Sequence, residues 1–513
     1  MGCISLLLVA PLLVQQDETV KDFEDFYRKE KDVLNKVELI YSLRGIDSPD
    51  VAEVLLPILE DDEPRLVKAA LAVVVELPST EARAPLARML EEGKPADALP
   101  VVLRATADGG WTEMAPWVRP YLEERDDTVR LWATTAIGAI GDLESLPMLA
   151  TLATADDHPL VRAAAVAALV QLGKGHEDLA GPPLVAALQD ANVSVSTAAC
   201  RGLRTVRVKE AIPPLIDLLE TGEGRIVEEI WPTLIELTDL QFNDDVGTWR
   251  RWWEQAGESY VLPTDAEIEV RRAQRAETNA EYRTPKAEAE FMGVQTASRN
   301  IVFVIDVSGS MEELVLDRDG FRERGFTKFM KLDIVKEELS RSIEQLGDNV
   351  MFNVYAFASE VDPWRKGLVP ANALQKKAAV KWISKLKPIG GSGASARASA
   401  GLTASSGLEK GRTNTYAALL AGLGIEGDPK KRGPATEIAV EQPDGEADTV
   451  FFLSDGKPTV GELVDTEDIL RSITEINRFR GAVIHTIAIG DFTSNFLEKL
   501  ARQNNGVFVD LGR

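Results

Sequence analysis

Five valines recur in one local setting, and their spacing constrains the fold more than any other feature of the chain. Each follows an acidic or polar turn and sits at the head of a helix-like segment. The copies are Asp61-Asp-Glu-Pro-Arg-Leu-Val67-Lys-Ala-Ala, Asp126-Asp-Thr-Val129-Arg-Leu-Trp-Ala, Asp157-His-Pro-Leu-Val161-Arg-Ala-Ala-Ala, Ala191-Asn-Val-Ser-Val195-Ser-Thr-Ala-Ala and Gly224-Arg-Ile-Val227-Glu-Glu-Ile. The valines stand 62, 32, 34 and 32 residues apart. The first gap fits two repeats with a degenerate unit near Ala98-Leu-Pro-Val-Val-Leu. A fixed period of this length marks a stack of helical units rather than one closed core.

A single helix pair cannot bury its own apolar face, so neighbouring pairs must stack. Alanine runs such as residues 163–168 let helices approach closely, and Ile212-Pro-Pro-Leu-Ile-Asp-Leu-Leu219 supplies the second helix of a pair. The pattern over residues 33–240 resembles HEAT repeats, which implies an all-α solenoid, here assigned to residues 17–257. Such concave surfaces bind proteins or peptides. A rigid spacer is an equal reading of the same pattern. Trp249, Trp252 and Trp253 have the i, i+3, i+4 spacing of one helix face and read as a plug for the open end of the stack. Residues 258–297 are charged, poor in large apolar groups and broken by Pro285, and read as a partly helical linker.

From residue 298 onward the rhythm changes to strands alternating with helices. Residues 300–305, 350–357, 449–453, 483–489 and 507–509 read as strands, the first of them a nearly continuous apolar run. Helical spacing fills residues 328–346, 371–386, 467–479 and 495–503. Alternation of this kind predicts a second domain, residues 298–513, with an α/β doubly wound, mostly parallel sheet of Rossmann-like type.

Ligand sites in such folds lie beyond the carboxyl ends of the strands. Three loops fall there: Asp306-Val-Ser308-Gly-Ser310, Gly411-Arg-Thr413-Asn-Thr415 and Ser454-Asp455-Gly456. Two carboxylates and three hydroxyls converge, with no sulfur and no imidazole. Hard oxygen donors select Mg²⁺, with Mn²⁺ and Ca²⁺ meeting the same description. Neutral hydroxyls around the ion leave it electrophilic, so a vacant position favours an acidic group from a partner. Glu312 and Glu313 follow the first loop and read as a solvated turn rather than a second cation site.

In order and spacing these three pieces resemble the metal-ion-dependent adhesion site of von Willebrand factor type A domains, over about 215 residues. The resemblance implies metal ligation by Asp306, Ser308, Ser310, Thr413 and Asp455, and a binding rather than catalytic role. The chain departs from the family in two long polar stretches beside the site, residues 389–410 and 426–447, which are tolerated insertions or determinants of partner choice. The expected function is capture of a carboxylate-bearing protein partner through Mg²⁺, with the solenoid as scaffold or as a surface for a second protein. An alternative is an assembly factor inside the cell, working beside an AAA+ ATPase. A metal-dependent hydrolase fits less well: the second acid it needs is replaced by Ser308, and no lysine or histidine pairs with Asp306 in the motifs.

The formal net charge of −25 argues against binding nucleic acid, because the field repels polyanions. With only Cys3 and Cys200 there is no disulfide framework, and His158, His176 and His485 lack zinc-ligand spacing. The apolar run at residues 4–14 is too short to span a bilayer and reads as the core of a signal peptide in residues 1–16, giving a secreted or periplasmic protein. No Lys or Arg precedes it and no small-x-small site follows. A helix capping the first repeat in a cytoplasmic protein is therefore the alternative. No other segment approaches a transmembrane span.

Overall fold

The computed structural model describes residues 19–275, 289–390, 412–425, 447–489 and 495–511. The N-terminal run and most of the two polar stretches lie outside these residues. The chain forms two compact units: the repeats up to Asp190, and a second unit of Ala191–Arg204 and Lys209–Glu426 with Glu441–Arg513. No helix among the described residues is long and apolar enough to cross a membrane.

In the first unit, Pro64–Val75, Leu99–Gly109, Asp127–Ile140 and Pro159–Leu172 pack one on the next. Ala84–Glu92 lies on Ala115–Val118, and Leu146–Ala155 on Glu177–Ala187, as a second row. The acidic turns of the repeat are helix caps. Asp126 accepts from the Val129 N–H at 3.0 Å, and the His158 Nδ1 accepts from the Leu160 N–H at 3.3 Å. Val67, Val101, Val129 and Val161 are all buried, so the degenerate unit near Ala98 keeps the repeat's register. The arginine after the valine ties successive repeats together. Arg130 forks onto Asp156 at 2.8 and 3.0 Å, and Arg162 onto Asp190 at 2.6 and 2.9 Å. Two parallel bonds from a rigid guanidinium fix orientation as well as distance.

In the second unit the repeat runs on through Val193–Gly202, Ile212–Thr221, Ile226–Thr238 and Val246–Ala256. Val195 is buried, but in the last copy Ile226 takes the buried place and Val227 is half-buried, a one-residue shift from the sequence pattern. Trp249 is fully buried, edge-on to Phe242 and Trp252, and its indole N–H donates to the Asn243 carbonyl at 2.8 Å. Trp252 meets Tyr260 edge-on. The tryptophan face is thus packed inside an aromatic cluster.

The span read as a linker contains ordered structure. Strands β1 (Ala289–Phe291) and β2 (Val294–Thr296) form a hairpin. Its turn residues Met292 and Gly293 have φ of 50° and 83°, the pair of positive angles that a tight two-residue hairpin needs. Phe291 is fully buried, edge-on to Phe303 and Phe451.

The main sheet comprises β3 (Asn300–Asp306), β4 (Met351–Phe357), β5 (Val361–Pro363), β6 (Val369–Pro370), β7 (Thr449–Ser454), β8 (Val483–Ala488) and β9 (Phe508–Asp510). Its order is β5-β4-β3-β7-β8-β9, with β6 also beside β4. β4, β3, β7, β8 and β9 run parallel, while β5 and β6 are antiparallel to β4. Alternate residues of β3 feed two cores. Ile301, Phe303 and Ile305 pack with Leu332, Val335 and Leu339 of the helix Lys331–Gln345. Val302 and Val304 pack with the helices Thr415–Gly422 and Thr466–Arg480. The α/β doubly wound fold expected from the strand–helix alternation is the fold observed. His485 lies in it as a core residue: it stacks on Phe451 and its Nδ1 accepts from the Val507 N–H, and burial pushes its pKa down to about 4.

The last repeat is tied to the amino ends of these strands. Arg225 occupies the cap position of Ile226–Thr238 but makes no side-chain cap. Fully buried, its guanidinium donates instead to the carbonyls of Asp448 at 2.9 Å and Gly481 at 2.5 Å. Glu228 accepts from the Thr296 hydroxyl and the Ala297 N–H, and the Ser194 hydroxyl donates to the Arg480 carbonyl. Burial lowers the Arg225 pKa and raises that of Asp448 to about 6. Removing one partner from such a buried set strands the others. Arg225→Met is expected to cost about 3 kcal/mol in urea unfolding; a loss below about 0.5 kcal/mol, the range of ordinary surface changes, would contradict this account.

Candidate metal centre

The order β4-β3-β7 makes the point between β3 and β7 the topological switch: the chain leaves β3 toward β4 and later returns on its other side. Crevices at such points receive ligands. Asp306 ends β3, and Asp455 follows the end of β7. The parallel pairing from Ile301 opposite Thr449 to Ile305 opposite Leu453 brings these two ends side by side.

Four of the five expected residues form one hydrogen-bonded chain. Asp306 is fully buried; its Oδ1 accepts from the Ser308 N–H at 2.8 Å and its Oδ2 from the Ser454 hydroxyl at 2.7 Å. The Ser308 and Ser310 hydroxyls lie 3.2 Å apart, and Ser310 donates to Asp455 Oδ1 at 2.6 Å. Thr413 is placed against the same group. A Cβ built on Gly456 would stand 3.6 Å from Thr413 Oγ1 and 3.7 Å from Ser310 Oγ, so both hydroxyls border the space that this glycine leaves open.

Thr413 is held through its backbone. Its N–H donates to the Thr459 hydroxyl and its carbonyl accepts from the Thr459 N–H, both at 2.9 Å. Asn414 caps the helix Thr415–Gly422 and donates to the Ser359 carbonyl. Gly461 passes close to this asparagine. Its φ is +125°, and a Cβ there would fall 2.3 Å from Asn414 Oδ1, so no side chain fits.

The structure adds a lysine beside the site, where the motifs had suggested none. Lys331 Nζ lies 2.8 Å from Asp455 Oδ2 and 2.7 Å from Glu313 Oε2. Burial works against its charge, but the hydrogen bonds and charges of Asp455 and Glu313 outweigh it and hold its pKa above the usual lysine value. Glu313 is therefore a partner of Lys331, and Glu312 is exposed. Ser454, Thr459 and Gly461 also support the site. Ser454 stood in a quoted motif without a role, whereas Lys331 was one of several polar residues of a predicted helix. Among the described residues, neither Lys331 nor a histidine is hydrogen-bonded to Asp306.

Asp306 has no cationic hydrogen-bond partner among the described residues. Burial, with the charge of Asp455 second, pushes its pKa up to about 6, against 3.8 as the ordinary value. Between those two pH values the folded protein binds a proton that the unfolded chain has released. The contribution of Asp306 to stability without metal therefore falls as pH rises from 3.8 to 6 and stays low above it. Asp306→Asn in chelator is expected to be more stable than the parent by on the order of 2 kcal/mol at neutral pH. The gain should vanish as pH falls toward 3.8, read by urea unfolding across pH; a gain independent of pH would exclude this origin.

A family model described as von Willebrand factor type A domain matches residues 326–510, and one for HEAT repeats matches residues 101–170. Inter-alpha-trypsin inhibitor heavy chain H1 of Mesocricetus auratus is 28% identical over 211 residues, covering 41% of this chain and 18% of that protein. Heavy chain H4 of Homo sapiens is 26% identical over 216 residues, covering 42% and 18%. The chain thus spans about a fifth of these curated relatives. Among solved structures, a von Willebrand factor type A protein from Catenulispora acidiphila gives a TM-score of 0.27 at 20% identity, over 42% of this chain and 39% of that one. The family-model and heavy-chain matches give this chain a von Willebrand factor type A domain in its C-terminal part, and HEAT-like repeats precede it.

Proposed function

We propose that the C-terminal domain is a divalent-cation-dependent binding module that captures an acidic group of a protein partner. The observation that carries this reading is the fully buried Asp306, which has hydrogen bonds but no cationic partner among the described residues, beside the gathered hydroxyls of Ser308, Ser310 and Thr413. A carboxylate in that position is costly without a positive charge to offset it. A hard cation of the Mg²⁺, Mn²⁺ or Ca²⁺ class suits an all-oxygen set.

The donors fit such an ion. Each carboxylate oxygen of Asp306 accepts one bond from the protein and keeps further lone-pair capacity, directly or through water. Ser308, Ser310 and Thr413 would supply neutral oxygens, and Asp306 and Asp455 the charge. When bound, the ion supplies a Lewis-acidic position for a partner's carboxylate. This chain's own residues orient that position: Ser454 fixes Asp306, Thr459 fixes Thr413, and the glycine at 456 leaves room.

Binding rather than catalysis is the reading that the type A domain match favours. Relatives named as heavy chains of a trypsin inhibitor are in keeping with a protein-binding role. The repeats engage the amino ends of the strands through Arg225, Glu228 and Ser194, and the cation site is at the carboxyl ends, which suits a scaffold or a second binding surface. For the setting, the apolar run at residues 4–14 supports a secreted or periplasmic protein, to be tested by sequencing the mature N-terminus.

Calorimetry and thermal unfolding test the metal. Mg²⁺ at 100 times its dissociation constant is expected to stabilise the protein by roughly 2.7 kcal/mol. Thr413→Ala should weaken binding and Asp306→Ala should abolish it, together with capture of an immobilised acidic partner. Unchanged stability and capture in EDTA would defeat the proposal.

A further inference from the structure

Lys331 stands where simple electrostatics would not put it. It is the first residue of the helix Lys331–Gln345, at the positive end of the helix dipole, where anionic side chains are favoured. Its side chain is only 7% exposed, so the charge is not released into water. Asp455 is more deeply buried still, at 0% for its side chain, whereas Glu313 is 67% exposed. The ammonium therefore bridges a buried carboxylate of the site and a solvent-facing one outside it.

The main chain around this bridge is fixed on both sides. The Lys331 N–H donates to the Glu313 carbonyl at 2.9 Å, and the Val315 N–H donates to the Phe329 carbonyl at 2.9 Å. Leu314 and Met330 pair as an isolated antiparallel bridge between them. The loop carrying Ser308 and Ser310 is thus zipped to the start of the helix. Any change at the lysine can be confined to side chains.

Resting on the cation-binding reading above, we propose that Lys331 is a built-in competitor for the site's cation. Without a divalent ion its ammonium holds Asp455 Oδ2 and offsets one of two neighbouring buried carboxylates. When an ion binds, Lys331 yields that oxygen and remains with Glu313, whose exposed side chain can follow it. The device sets both affinity and selectivity. A monovalent ion offers Asp455 no more charge than the ammonium already does, whereas a divalent ion does. It also keeps the empty site folded, because both oxygens of Asp455 remain occupied, by Ser310 and by Lys331.

The test compares the full chain with Lys331→Met, Lys331→Arg and Glu313→Gln, by calorimetric titration with MgCl₂ and by thermal unfolding in EDTA. Lys331→Met is expected to bind Mg²⁺ roughly tenfold tighter or more, and to melt at a lower temperature when metal-free. Lys331→Arg should stay within a few-fold of the parent. Glu313→Gln, which leaves the ammonium to Asp455 alone, should weaken binding several-fold, and it carries the test if Lys331→Met fails to fold. Equal affinity in parent, Lys331→Met and Glu313→Gln would overturn the competitor while leaving the cation site standing. Tighter binding with an unchanged metal-free melting temperature would also overturn it, since the lysine would then act only through its field. Binding by Lys331→Met but not by the parent would uphold the competitor and defeat the metal-dependent function. Binding by none would defeat both.

Discussion

The register of β3 against β7 is the constraint from which the site follows. Ile305 lies opposite Leu453, so Asp306 and the Ser454–Asp455 pair leave the sheet next to each other. A one-residue slip would turn every side chain of a strand to the opposite face. That slip is blocked twice over, because Ile301, Phe303 and Ile305 fill one core and Val302 and Val304 the other. Burial on both faces therefore does more than stabilise the domain: it aligns two carboxylates at a position that neither strand defines alone.

Much of this was legible in the chain itself, for a definite reason. Strands buried on both faces are written as continuous apolar runs, and β3, β4, β7, β8 and β9 lie within about a residue of the positions expected. The ligand-like residues sit at strand ends, where short motifs survive as local patterns. What escaped depends on contacts between distant segments. Lys331 looks like any other polar residue of an amphipathic helix until the fold brings it to Asp455, 124 positions away. The hairpin at residues 289–296 was hidden because its largest apolar anchor, Phe291, stands in a charged neighbourhood.

Arg225 illustrates how a repeat can be diverted from its own pattern. In earlier copies the residue before the helix accepts from a backbone N–H, as Asp126 and Asn192 do. An arginine has no acceptor and cannot do this. Freed from capping, its guanidinium reaches the carbonyls of Asp448 and Gly481, which precede β7 and β8. The last repeat is thereby joined to the same two-sided sheet whose far ends carry the site. The guanidinium does this through a single amino group, since Nη1 donates to both carbonyls.

Charge balance links that frame to the chemistry. The site gathers two carboxylates, Asp306 and Asp455, but among the described residues one buried ammonium meets them, and that ammonium is shared with Glu313. Asp455 is compensated and Asp306 is not, which is why burial acts so strongly on Asp306. A fully neutralised site would have no reason to take up a cation, and a site with no internal cation would set two buried anions against each other. On the proposed cation-binding reading, an arrangement between these limits would remain folded when empty and gain on loading. The single lysine at the head of the helix Lys331–Gln345 places the domain between them.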